Sequence, residues 1–222
     1  FHLSQKAKQN DMVVIDDPIS IIRCTNKVYL SELLEREKIP TPASRLIFKS
    51  NDNQFDDIAS CLGTPFIIKI PDGSFSHGMH KASNETEFKE ATGRLFEKSA
   101  ILLAQAYIPT EFDWRIGILN GEALYACKYY MAKNHWQIYN HNSIKGCEQT
   151  GTVDTLPLYQ VPQNIIRTAL KATSLIGKGL YGVDLKVINN KAIVIEINDN
   201  PSIDHGIEDA ILGDELYYRI LN

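Results

Sequence analysis

The sequence predicts an α+β protein with mainly antiparallel sheets, and three observations carry that reading. Two apolar runs double back at Asn120-Gly121 and Asn189-Asn190, the turn chemistry of β-hairpins. Segments with helical spacing of apolar residues are intermixed with these strands, without internal repeats or a low-complexity linker. At 222 residues and 44% hydrophobic, the chain can bury roughly 70–75% of its unfolded surface, enough for one large domain or two small lobes.

The elements follow in chain order. In residues 25–38, Val28, Leu30, Leu33 and Leu34 form a helical stripe that Pro40 and Pro42 end. "RLIFK" (45–49) and "PFIIKI" (65–70) read as short strands around a helix near 54–62, and "PDGSFSHGMHKA" after them as a loop. Asn84 with Glu87 three residues on resembles a capping box, opening a helix that runs to about residue 98. "AILLAQAYI" (100–108) reads as a buried strand. With Asn120-Gly121 as a two-residue loop, Arg115 falls opposite Ala126 and Asp113 opposite Lys128, so Asp113, Arg115 and Lys128 are expected on one face. Residues 132–156 read as irregular and 162–176 as a helix closed by Gly177; a second hairpin turns at Asn189-Asn190.

Composition excludes several classes of function. A net charge of −4 and a pI near 5.9, with scattered Lys and Arg, leave no basic surface for a nucleic acid. Cys24, Cys61, Cys127 and Cys147 lack CxxC spacing and fit neither a zinc site nor a disulfide framework, so reduced thiols and a cytoplasmic setting are expected. There is no apolar run near 18 residues, so no membrane partner is expected. A start at Phe1 without Met reads as part of a longer protein.

The stretch "VIEINDNPS" (194–202) carries the chemistry. Alternation along a strand puts Glu196 and Asn198 on one face with Val194, and Ile195 and Ile197 on the other. Taken alone, that face reads equally as a solvated strand edge capped by an Asx-turn. Asp184 joins it only if the hairpin register sets Asp184 opposite Glu196. A two-residue loop puts it opposite Ile195, so a three-residue loop (189–191) or a bulge is required. Asp, Glu and Asn oxygens on adjacent strands suit Mg²⁺, which substrate phosphates complete, and so imply a nucleotide.

Five ordered motifs, "NKVYLSELLEREKIPTP", "PFIIKIPDGSFSHGM", "LLAQAYIPTEFDWRIGILNGE", "GVDLK" and "EINDNP", resemble those of the ATP-grasp superfamily, within it the RimK-like carboxylate-amine ligases related to glutathione synthetases. The resemblance runs from about residue 26 to 222. It implies an ATP-grasp α+β fold of two lobes with the nucleotide between them: a lead-in at 1–49 from a domain outside the chain, a small lobe at 50–104 and a large lobe with the metal site at 105–222.

It also implies site residues. Lys27 and Lys69 are the phosphate-binding lysines, and the loop 72–79 covers the phosphates. Gln105, Ala106, Tyr107 and Ile108 offer backbone groups to adenine, and Asp113 lies near the ribose. Arg115 and Lys128 are cations toward the transferring phosphate, with Lys128 standing where many members have Arg. Asp184, Glu196 and Asn198 are the metal ligands, holding two Mg²⁺ for which Mn²⁺ can substitute. The chain departs from the family at "HWQIYNHNSIKGCEQTG", which lacks an Arg-x-Asn motif; Asn140 or Asn142 could supply the amide.

The implied reaction is ATP-dependent amide formation through an acyl phosphate, joining a carboxylate to an amine on an amino acid, peptide or protein. A kinase acting on a hydroxyl and a non-catalytic nucleotide-binding module remain alternatives. His77 and His80, in a loop, do not aim at one metal; His135, His141 and His205 read as solvated or as lining the substrate side. Asp199 is expected to face away from Glu196 and Asn198. The oligomeric state, a homo-oligomer included, is open.

Overall fold

The computed structural model describes residues 1–15, 17–49, 54–73, 78–139 and 150–222. In chain order its elements are α1 (His2–Lys8), α2 (Pro18–Thr25), α3 (Lys27–Arg36), β1 (Ser44–Phe48), α4 (Phe55–Leu62), β2 (Phe66–Lys69), β3 (Met79–Ala82), α5 (Glu85–Leu95), β4 (Ile101–Ala106), β5 (Phe112–Leu119), β6 (Glu122–Tyr130), β7 (Val153–Leu156), α6 (Gln163–Thr173), β8 (Leu180–Ile188), β9 (Lys191–Asn198) and α7 (Asp214–Leu221). Two antiparallel sheets organise them, a four-stranded one in the order β1-β4-β2-β3 and a five-stranded one in the order β7-β6-β5-β8-β9.

In the smaller sheet Phe66, Ile68, Leu102 and Ala104 pack against Ile58 of α4 and Phe88, Ala91 and Leu95 of α5. The opposite face carries Ile67, Lys69 and Gln105 toward the site. Both faces are covered, which is why "FIIK" reads as an unbroken buried run. Asn84 caps α5 by accepting from the Glu87 amide at 3.0 Å, and the Glu87 carboxylate accepts from the Ser83 amide at 2.7 Å. In the larger sheet Trp114, Ile116, Ile118, Val183, Leu185, Val194 and Ile197 form one core with α6.

Leu30, Leu33 and Leu34 of α3 and Cys24 of α2 belong to that same core, and β1 belongs to the smaller sheet. Residues of α2, α3 and β1 thus contribute to the two cores, where a lead-in at 1–49 and a lobe boundary at 50 were expected. Helix α2 was not expected; Pro18 occupies its first turn, and Asp17 accepts from the Ile19 amide at 2.8 Å. Met79–Ala82 and Val153–Leu156 are strands where a loop and an irregular stretch were expected.

Two bulges decide which side chains share a face. Asn120 and Gly121 take positive φ, as a type I′ turn requires. Leu119 pairs with Glu122, but the register slips between Gly117 and Ile118, so Asp113 pairs with Tyr129, Trp114 with Lys128 and Arg115 with Cys127. Lys128 thus lies on the face opposite Asp113 and Arg115, a correction that follows from one extra residue. In the second hairpin the turn at Asn189-Asn190 is two residues long, both with positive φ, and a bulge sets Asp184 opposite Glu196 with Leu185 opposite Val194. Ile195 is the extra residue. Val194 consequently faces the core with Ile197, not the polar face with Glu196 and Asn198.

A Cβ on Gly117 would lie 2.2 Å from the ring of buried Tyr125. Gly117→Ala is expected to destabilise the fold by about 1–3 kcal/mol through overpacking, measured as a lowered urea midpoint. An unchanged midpoint would show that the Tyr125 ring moves aside freely.

Candidate nucleotide and metal site

A cavity of about 380 Å³ lies between the two sheets. Its floor is the polar face of β8 and β9, where Asp184 and Glu196 stand directly opposed and Asn198 pairs with Gly182. Each carboxylate meets a cation. Arg115 of β5 grips Asp184 with both ends of its fork, Nε to Oδ1 at 2.8 Å and Nη2 to Oδ2 at 3.0 Å. Burial works against the Arg115 charge, but Asp184 outweighs it and raises the guanidinium further above its ordinary value. The guanidinium also lies 4.9 Å from the centre of the Tyr129 ring.

Lys27 pairs with Glu196, Nζ to Oε1 at 2.7 Å, and donates to the Gly73 carbonyl. Its place follows from the helix cap: Asn26 accepts from the Tyr29 amide at 2.9 Å and donates to Asp72 at 3.1 Å, while the Lys27 amide donates to the Pro71 carbonyl at 3.0 Å. The start of α3 is thereby tied to the segment leading from β2.

Lys69, 4% exposed, donates to Gln105 Oε1 at 2.8 Å, and Gln105 Nε2 donates to the Ser44 hydroxyl at 3.2 Å. Burial lowers the Lys69 ammonium to about 8, against the opposing pull of Glu196. So Gln105 contributes its side chain to this arrangement. The Ala106 amide is committed to the Ala43 carbonyl at 2.9 Å, and Tyr107 and Ile108 continue the wall.

Asp113 lines the cavity, and its cation is Lys186 at 2.6 Å, with the Thr110 hydroxyl at 3.1 Å. Burial raises the Asp113 carboxyl, opposed by the charge of Lys186. Lys186 was missed, although its spacing two residues after Asp184 in "GVDLK" signals a shared face. Lys128 lies over the Phe112 and Trp114 rings, at 4.8 and 5.1 Å from their centres. It therefore faces away from the cavity and leaves the cation set.

Asp199 lines the cavity because β9 ends at Asn198 and the alternation stops there, which corrects the expectation that it faces away. Trp136 was also missed: it stands edge-on to Tyr107 at 6.1 Å, with the Lys81 ammonium 5.6 Å from its ring centre. His80 is on β3, and His205, 98% exposed, bonds Asp209. His77, Asn140, His141, Asn142 and Cys147, and residues 74–77 of the loop 72–79, lie outside the described residues; Cys24, Cys61 and Cys127 are free thiols.

The donor chemistry fits Mg²⁺. Both hydrogen bonds of the Asn198 amide leave from Nδ2, to Asp184 at 3.2 Å and to the Gly182 carbonyl at 3.3 Å, so Oδ1 is left as an acceptor beside two carboxylates. Among the described residues no three carboxylate, imidazole or thiol groups converge as a complete cage. Two carboxylates and an amide suit a cation that takes its remaining ligands from phosphate and water. Nor is any described helix long and apolar enough to cross a membrane.

Comparison with known proteins identifies the fold and the family. A "probable α-L-glutamate ligase 2" of Pseudoalteromonas atlantica is 25% identical over 88% of this chain and 62% of its own length. The α-aminoadipate–LysW ligase LysX of Saccharolobus solfataricus is 26% identical over 85% and 66%. The chain thus spans about three fifths to two thirds of these relatives. A D-alanine–D-alanine ligase from Bacillus anthracis superposes with a TM-score of 0.82 at 18% identity, covering 98% of this chain and 73% of that one. The ATP-grasp ligase PsnB, with bound Mg and ADP, does so at 0.70 and 17%, covering 98% and 64%. The fold is that of the ATP-grasp ligases. The description "RimK-like ATP-grasp domain" matches residues 24–215, and the chain belongs to that family.

Proposed function

We propose that the chain is the nucleotide-binding and bond-forming part of an ATP- and Mg²⁺-dependent carboxylate-amine ligase. The observation that carries this reading is the doubled pairing in one cavity, Arg115 on Asp184 and Lys27 on Glu196, with Lys69 beside them. Cations and hard oxygen donors meet there, and among the described residues neither a Ser-His-Asp nor a Cys-His arrangement lines the cavity. Such a site positions and neutralises phosphates and leaves the bond-making to the substrates.

The substrate carboxylate attacks the γ-phosphate of ATP, giving an acyl phosphate and ADP. An amine then attacks the acyl carbon, and inorganic phosphate leaves as the amide forms. Asp184, Glu196 and Asn198 would hold Mg²⁺, two ions in the full complement with Mn²⁺ able to replace them, which when bound neutralises phosphate oxygens. Lys27, Lys69 and Arg115 supply the remaining positive charge, Tyr107 and Ile108 border the base, and Asp113 meets the ribose. The relatives named for glutamate and α-aminoadipate support an amino acid as one substrate and a peptide, protein or small amine as the other.

Asp199 supports a second reading. A hydroxyl acceptor requires a base, and the cavity holds this carboxylate; a kinase is therefore kept as the alternative. Hydroxylamine separates the two, because it converts an acyl phosphate to a hydroxamate and leaves a phosphoester intact. Hydroxamate that requires ATP, Mg²⁺ and a carboxylate is expected; a stable phosphorylated alcohol without hydroxamate would select the kinase.

Glu196→Gln removes a charge from the metal set without changing its shape, and is expected to lower turnover more than about 100-fold with the fold intact by circular dichroism. Turnover at the wild-type rate would take Glu196 out of the site.

Lys69 gives a pH prediction. Its folded-state value of about 8 is below the ordinary lysine value, so folding bears a cost that is complete below pH 8 and fades as pH rises toward about 10.4. Lys69→Met is expected to raise stability at pH 7 by up to about 3 kcal/mol while weakening ATP binding. Wild-type affinity for ATP should fall as pH rises past 8, and a pH-independent affinity would show that Lys69 takes no part.

A further inference from the structure

The hydrogen bonds at Asp113 are one-sided. Lys186 Nζ donates to Oδ1 at 2.6 Å and the Thr110 hydroxyl to the same oxygen at 3.1 Å, while Lys186 also donates to Thr110 Oγ1 at 2.7 Å. The three groups close a triangle around one carboxylate oxygen. No hydrogen bond to Oδ2 is made among the described residues, and Asp113 and Lys186 both line the cavity. They come from neighbouring strands, β5 and β8, whose register is continuous from Trp114 opposite Leu185 to Leu119 opposite Leu180. Side-chain exposures of 13% for Lys186 and 15% for Asp113 mean that neither group swings freely in solvent.

The geometry points to Lys186 as the positioning residue that sets sugar selectivity: with Thr110 it immobilises one oxygen of Asp113, so that the other accepts from the vicinal hydroxyls of a ribonucleotide. The inference rests on the nucleotide reading above and deepens it. A carboxylate held by one oxygen has a fixed plane, and a pair of adjacent hydroxyls is the donor set that such an edge accepts. A freely rotating carboxylate would accept from water as readily as from a sugar and would discriminate little. Lys186 acts through Asp113; it need not touch the nucleotide.

The test is calorimetric titration, with Mg²⁺ present, of ATP, 2′-deoxy-ATP and 3′-deoxy-ATP into the full chain and its Lys186→Met, Asp113→Asn and doubly substituted forms. In the wild type, loss of a hydroxyl that donates to a carboxylate should weaken binding about 10- to 100-fold. In Lys186→Met the preference for ATP over at least one deoxynucleotide should collapse to about twofold, with the double variant no worse than the Asp113→Asn form. A merely structural role would weaken all three nucleotides by one common factor and preserve their ratios, and so would a direct contact of Lys186 with phosphate; either result overturns the inference. Should Lys186→Met fail to fold with Asp113 left unpaired, Thr110→Val, which removes the other donor to Oδ1 and keeps the ion pair, is expected to lower the same preference, and an unchanged preference there overturns the inference. Wild-type protein that binds no ATP overturns the nucleotide reading itself, whereas ATP binding without sugar discrimination overturns only the role of Lys186.

Discussion

The opposition of Asp184 and Glu196 across β8 and β9 is the constraint on which the site depends. Two carboxylates facing each other on one face of a sheet repel, so the arrangement stands only because cations arrive from other elements. Arg115 comes from β5, and Lys27 from the first turn of α3. That requirement explains why α2 and α3 are packed into the core of the larger sheet through Cys24, Leu30, Leu33 and Leu34: the apolar face of α3 fixes where Lys27 points. Packing and charge are thus one device.

The cations are not equivalent. Arg115 and Lys27 are paired with carboxylates, and partial burial strengthens such pairs only because each keeps its partner. Lys69 has a neutral amide, Gln105 Oε1, and no ion-pair partner among the described residues. An ammonium at 4% exposure without a counter-ion is a cost that the fold bears. Its neighbours Ile67 and Ile68 are apolar, so the strand would be more stable with an apolar side chain there. A retained liability at the wall of a cavity is the physical mark of a site that waits for an anion.

Elements whose signals are local were legible in the sequence. The Asn84 and Glu87 cap, the Asn120-Gly121 turn and the buried strand β4 all depend on neighbours a few residues away, and the polar pattern of "EIN" pointed to Glu196 and Asn198 as candidate ligands on one face. What was not legible was register. A bulge adds one residue to one strand, and whether it forms depends on contacts between distant segments, such as Gly117 yielding to the ring of Tyr125. One slip moved Lys128 to the other face of β6; the second, at Ile195, is the bulge that the sequence left open beside a three-residue loop, and only the structure decides between the two. Strands β3 and β7 escaped because "MHKA" and "VDTL" are four residues each at sheet edges, too short for a period of two to declare itself. Helix α2 was not assigned, although Pro18 stands in its first turn, where a proline fits a helix.

The wall beyond the strand end is fixed by a chain of contacts that returns to Arg115. Glu208 is fully buried; it accepts from the Tyr129 hydroxyl, and its other oxygen accepts from the Asp204 amide at 2.8 Å. Tyr129 carries the Arg115 guanidinium on its ring face. Pro201 lies so close to Gly182 that a Cβ there would sit 2.7 Å from the proline Cβ and 3.7 Å from the Arg115 side chain. The segment bearing Pro201 and Ser202 and the cation that grips Asp184 therefore share one tyrosine and one glycine. Because Tyr129 is a flat ring bonded at its hydroxyl, it can hold both only in one orientation, and displacing it would strip the guanidinium of its ring contact and Glu208 of its hydroxyl donor together. The geometry of the strand end and the charge balance at Asp184 are in this way set by the same small group of buried contacts.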